Sequence, residues 1–184
     1  MSIAITSVPT GTYSVDPGHS SVEFAVKHLG IATVKGSFSS FEGTLEVGDD
    51  LSSARAYGTV DVASVNTREA ARDEHLRSPD FFDAERSPQL RFESTEIRPL
   101  DEDVFEIVGQ LEMRGVTREI TLTAEIQGRE TDPWGNERVG LEVTGELRRG
   151  DWGLTWNQVL GSGNLLVADK VKLSLDLSAV KQSS

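Results

Sequence analysis

The chain has no cysteine, so disulfide staples and thiolate chemistry are both excluded. That absence fits a reducing cytoplasm or an export route that does without cysteine. Positive charge is scarce: 18 Lys and Arg stand against 30 Asp and Glu, a net charge of −12. Such an excess of carboxylates repels phosphate backbones and anionic membranes, so nucleic acid is not an expected partner. No apolar run approaches the about 20 residues that a membrane helix needs. The opening, Met1–Thr10, has neither a basic residue nor an apolar core and does not read as a signal peptide. The expected location is therefore the cytoplasm.

Signals for catalysis are equally thin. The three histidines, His19, His28 and His75, lie in separate segments without the close pairing that zinc sites favour, so no metal is expected. There is no Gly-x-Ser-x-Gly elbow, and Gly161-Ser162-Gly163 reads as a loop. The stretch Gly161–Leu166 also fails the dinucleotide fingerprint, because no βαβ unit surrounds it. Glu102 and Asp103 fall in a solvated, turn-like acidic patch. Neither a catalytic residue nor a cofactor is expected.

What the sequence does have is alternation. Val22, Phe24 and Val26 alternate with polar or small residues, and so do Gly58, Val60 and Val62. The same period recurs in Phe105, Ile107, Gly109 and Leu111, and in Leu122, Ala124 and Ile126. It returns in Leu141, Val143, Gly145 and Leu147, and in Val171, Leu173, Leu175 and Leu177. Period two means strands with one wet and one apolar face. From Val34 to Val47 the apolar parity switches between Phe38 and Phe41, which predicts a β-bulge near Ser39-Ser40. Leu90 and Phe92 mark a further strand.

One segment reads as helix, residues 67–77, with Asn66 and Glu69 in capping-box spacing and Ser78-Pro79 as the stop. Many strands and one short helix predict an all-β fold, an extended antiparallel up-and-down β-barrel of about eight strands. The 184 residues are expected to form a single domain, with loosely ordered ends at 1–10 and 181–184.

An eight-stranded barrel is either filled by side chains or holds one ligand. Gly58, Gly109 and Gly145 all fall mid-strand on the apolar parity, where a packed core wants bulk. They leave room for a long, thin ligand, or they relieve crowding where strands bend; this feature alone leaves both open. On the hollow reading the wall is Val22, Phe24, Val26, Phe38, Gly58, Val60, Val62, Leu90 and Phe92 in the first half. Phe105, Ile107, Gly109, Leu111, Leu122, Ile126, Leu141, Val143, Gly145, Leu173 and Leu175 continue it. Phe81 and Phe82, just past the helix, plug the barrel beneath it. Arg68 and Arg72 on the helix either hold a polar or phosphate head group or form an Arg–Asp lock with Asp73.

Several blocks together resemble a known family. Tyr13–Phe24, with Asp16-Pro17-Gly18-His19, resembles the start of the YceI-like proteins, as do Lys27–Gly30, Val34–Phe38 and Phe41–Gly43. The central stretch Val65-Asn66-Thr67 followed by Arg72–Asp83 is more similar still. Leu111–Thr117, Arg149–Leu154 and the strand Val171–Leu177 complete a match from about Gly11 to Val180. Trp152 stands where the family usually has Phe, and many family members are exported. The resemblance implies a lipocalin-like barrel that binds a polyisoprenoid, an isoprenoid quinone or a similar amphiphile, and it brings no catalytic residues. The function expected is therefore non-enzymatic binding, transport or storage of a long apolar lipid, with a homodimer compatible. The alternatives are a filled barrel that acts through its surface and a small hydrolase.

Overall fold

The computed structural model describes residues 8–183. Eleven strands carry the chain. They are β1 (Gly11–Val15), β2 (Ser21–His28), β3 (Ala32–Phe38), β4 (Phe41–Val47), β5 (Arg55–Asp61) and β6 (Val65–Asn66). After α1 (Ala70–Arg77) come β7 (Gln89–Asp101), β8 (Val104–Met113), β9 (Val116–Thr131), β10 (Glu137–Arg148) and β11 (Val167–Lys181).

These segments close into an eight-strand antiparallel ring, because the first six act in pairs. β1 and β2 are one strand interrupted at Pro17–His19, where proline removes a ladder donor. β3 with β4, and β5 with β6, are also halves of single strands, broken at Ser39-Ser40 and at Val62–Ser64 without a proline: β4 pairs with β1 and β5, while β3 pairs with β2 and β6. β11 shuts the ring. Its 15 residues span about 50 Å, enough to pair with β10 along one edge and with β2 and then β1 along the other. Pairing of β1 with β11 closes the ring and limits the exposed edges, although residues 32–36 of β3 pair only with β2. Among the described residues no helix is long and apolar enough to cross a membrane.

The parity switch after Phe38 is larger than a one-residue bulge. The strand breaks there, and Phe38 and Phe41, three residues apart, are both buried. Ser40 fixes the break: its hydroxyl donates to Asp61 Oδ2 at 2.6 Å and its amide to Ser64 Oγ at 3.1 Å. The helix also starts later than expected, at Ala70. Asn66 and Glu69 do not form a capping box; Asn66 Oδ1 accepts from the Arg68 amide, and Arg68 takes a φ of 68°. Asp73 reaches back instead, to accept from both the amide and the hydroxyl of Thr67.

Two hydrophobic clusters fill the ends of the ring differently. One lies towards α1 and gathers Phe81, Leu111, Met113, Leu122, Val143, Leu147, Trp152 and Leu154. The other, at the opposite end, joins Val8, Tyr13, Val47, Ile126, Val139 and Ala179. It gathers the two ends of the described residues. Val8 is 4% exposed, Tyr13 donates its hydroxyl to Pro9 O at 2.8 Å, and the Gln182 amide donates to Thr12 O. Residues 1–7 and 184 lie outside the described residues.

Candidate functional site

Within the ring, walled largely by the first cluster, lies a partly open cavity of about 450 Å³. That lies within the range of small-molecule sites, roughly 300–1,000 Å³. Its wall is built by strand pleating: one apolar face of each strand points in, and successive strands repeat it. Val22, Phe24 and Val26 of β2, Phe38 of β3, Gly58 and Val60 of β5 and Leu90 and Phe92 of β7 all line it. So do Ile107, Leu111, Leu122, Leu141, Val143, Leu173 and Leu175 from the second half, and Phe81 and Phe82 from the segment after α1. The strand residues among these are ones that alternation singles out, and Phe81 and Phe82 are the pair expected beneath the helix.

Five expected wall residues lie elsewhere. Val62 is wholly buried in a turn after β5, where the chain has left the sheet and its amide donates to Pro88 O. Ile126 belongs to the end cluster opposite α1, and Phe105 packs against it. Both have inward parity, but they stand below the cavity. Leu45, Leu141 and Ala179 line the cavity and also pack in or on that cluster, which is thus the cavity floor.

Gly109 and Gly145 are the other two. A Cβ on Gly109 would strike the ring of Phe92 and come within 2.6 Å of Glu93 O, and one on Gly145 would meet Leu122 Cδ2 at 2.5 Å. Phe24 likewise lies over Gly36, its directly paired neighbour. The inward glycines therefore seat side chains from the next strand rather than a ligand. Gly58 does border the cavity, yet its own missing Cβ is required by Glu42 O at 2.5 Å. The crowding account of these glycines is the one the packing supports, and the cavity comes from the ring's girth.

Arg72 and His75, one turn apart on α1, border the cavity, as do Trp156 and Arg149. Arg72 is committed to the loop before its helix: Nε donates to Thr67 Oγ1 and Nη2 to Thr67 O, both at 2.7 Å, and Nη1 stands 3.5 Å from Glu69. With Asp73 on the same threonine, this is the Arg–Asp lock. Arg68 does not border the cavity. His75 bonds Asp80 at 2.9 Å and sits edge-on to Trp156 and Phe81, with centroids 4.7 and 5.0 Å apart. His19 bonds Asp16 at the far end, and His28 closes β2. The Gly161–Gly163 loop tips a small hairpin in which Val159 faces Leu165.

Arg149, which was not among the expected site residues, is 6% exposed and continues the inward parity of Leu141, Val143, Gly145 and Leu147. Trp152 sets its turn. The indole is 2% exposed, its Nε1 donates to Leu111 O at 2.9 Å, and Gly153, at a φ of 81°, ends the turn. Burial pushes the Arg149 guanidinium below its ordinary range, with Asp169 opposing that shift. Trp156 carried no such signal, since it sits in an aperiodic link.

A family model described as a YceI-like domain matches residues 13–179. A UPF0312 protein of Serratia proteamaculans is 37% identical over 158 residues, covering 84% of this chain and 82% of its own. Another, from Staphylococcus aureus, is 36% identical over 163 residues, covering 87% and 92%. Among solved structures, a Campylobacter jejuni YceI protein superposes with a TM-score of 0.72 at 28% identity, over 85% of this chain and 90% of its own. BcnA of Burkholderia cenocepacia gives a TM-score of 0.76 at 21% identity, over 89% and 98%. A polyisoprenoid binding domain from Saccharophagus degradans gives 0.72 at 17%, over 92% and 98%.

Proposed function

The chain belongs to the YceI-like family, and on that premise we propose that it carries a long-chain apolar lipid inside its barrel and does no chemistry on it. The observation that supports this reading is the cavity: about 450 Å³ lined by aliphatic and aromatic side chains from every part of the ring. Each methylene moved there from water contributes about 0.8 kcal/mol, so a chain of several carbons binds without further chemistry. An isoprenoid chain, an isoprenoid quinone or a fatty chain all satisfy that wall. A similar fold in a domain described as polyisoprenoid binding adds support for the first. A filled barrel acting only through its surface needs a packed interior, and the interior holds a void.

Mass spectrometry of the purified protein, native and after extraction into organic solvent, tests the reading. A stoichiometric apolar ligand is the expected result. Protein that is empty and also refuses added isoprenoids, quinones and fatty acids would sink it. A second check is Leu175→Trp, which grows an indole into the void. Lipid affinity should fall at least about tenfold while the fold holds, because the added bulk meets space rather than packed atoms.

A further inference from the structure

Among the described residues, Arg149 is the buried charged side chain on the cavity wall. A guanidinium has five N–H donors in a rigid fork. Four of them are occupied here. Nε donates to Ala168 O at 2.9 Å, Nη1 to Leu154 O at 2.7 Å and to Trp156 O at 2.9 Å, and Nη2 to Val167 O at 3.2 Å. The remaining Nη2 donor meets no acceptor among the described residues. The charge also lacks an acid: among those residues Arg149 forms no ion pair. Asp169, the acidic group that acts on it, accepts from the Gly150 amide at 2.9 Å and faces Arg148.

A buried cation whose partners are carbonyl dipoles alone is incompletely compensated, and an anion within reach gains a charge-assisted hydrogen bond. The surroundings suit a head group lying between aromatic walls. The guanidinium carbon stands 6.0 Å from the Phe81 centroid, and Phe81, His75 and Trp156 pack against one another beside it. We propose that Arg149 receives an oxyanionic head group, a carboxylate or a phosphate, inside the barrel at its α1 end. The hydrocarbon tail then runs down the cavity toward Leu45 and Ala179. This assignment rests on the carrier reading and adds a sign to it: acidic amphiphiles are held over neutral ones of the same length. It also moves the head group away from the helix arginines, since Arg72 is spent on Thr67 and Arg68 is off the cavity.

Matched ligands test it on the intact protein stripped of co-purified lipid. Hexadecanoate is compared with hexadecan-1-ol, and farnesyl phosphate with farnesol, at pH 8 by competition against a fluorescent lipid. The acid should bind about tenfold or more tightly than the alcohol in each pair. Equal affinities overturn the role of Arg149 and leave the carrier reading standing; binding of none of the four overturns both. Preference for one acid alone identifies which oxyanion the site takes. Arg149→Met should bring the ratio to about one, and Arg149→Lys should keep part of it. An undiminished preference in folded Arg149→Met would overturn the assignment. Should that variant fail to fold for want of its four carbonyl contacts, the wild-type ratios and the Lys variant decide.

Discussion

At the floor of the barrel, Tyr13 and Val139 are each 1% exposed, Ala179 is 0% exposed, and side chains of β1, β4, β9, β10 and β11 pack in one cluster. At the α1 end the same ring is closed by a short helix and two long links. Leu76, Phe82 and Trp156 there are only half-buried, and a cavity lies beneath them. The floor's polar groups satisfy one another. Arg138 joins Asp132 at 2.8 Å and Asp16 Oδ2 at 3.0 Å, His19 shares that same oxygen at 2.9 Å, and Asp16 Oδ1 accepts from the Gly18 amide. At the α1 end Arg149 keeps a donor over. One end is finished as structure; the other has unspent volume and unspent hydrogen bonding, which is where a ligand gains most.

The strongest way to break that comparison is to truncate one aromatic at each end. Tyr13→Ala should cost about 3–5 kcal/mol, since it opens a hole in a fully packed cluster and orphans Pro9 O. Phe82→Ala should cost about 1–2 kcal/mol, because that ring is half-buried over a void, and should speed lipid release. Urea unfolding and ligand off-rates measure both. Equal stability losses would mean that the α1 end is as tightly made as the floor.

A smaller effect separates glycines that share one parity. Gly58→Ala drives a methyl into Glu42 O of the neighbouring strand, where only backbone movement makes room, so about 1–3 kcal/mol should be lost. Gly145→Ala meets the tip of Leu122, which rotates into the cavity, so stability should change by less than about 1 kcal/mol. Thermal melts of the two variants check this; the reverse order would return these positions to ligand space.

The glycines also show where reading the sequence stops. Alternation identified the strands, the closed barrel and the inward face, because period two is a local property of the chain. It gave no height along the axis, so Phe105 and Ile126 read as wall although they belong to the floor. Nor did it show what fills the space over a glycine. That depends on a neighbour such as Phe92 over Gly109, on the preceding strand and brought there by the register of β7 with β8. Arg149 lay on the legible parity, one step past the last aliphatic residue, and its charge disguised it as surface. The lock of Arg72 and Asp73 on Thr67 was readable as residue types, while the late start of α1 was set by the left-handed Arg68.

The smallest effect is set by pH and belongs to the floor. The Asp16 carboxyl is lowered to about 2 by hydrogen bonds from His19 and Arg138, with the Gly18 amide adding to them. At Asp132 burial pushes upward, yet bonds from Arg138 and the Asn136 and Trp134 amides prevail and bring it to about 2 as well. Both therefore hold protons less tightly folded than unfolded. Their contribution is complete above the unfolded value near 3.8 and drains away as pH falls from there through about 2, because the unfolded chain takes up protons first. Asp16 keeps about a quarter of its side chain in water, so its share of the loss is modest and shrinks further in salt, whereas Asp132 is nearly covered. Urea midpoints measured from pH 5 to pH 2 should fall less in Arg138→Gln than in the wild-type protein, since the variant starts without the bonds that acid removes. Parallel curves would show that the acid response arises elsewhere, and that the floor owes its hold to packing around Tyr13 and Val139 alone.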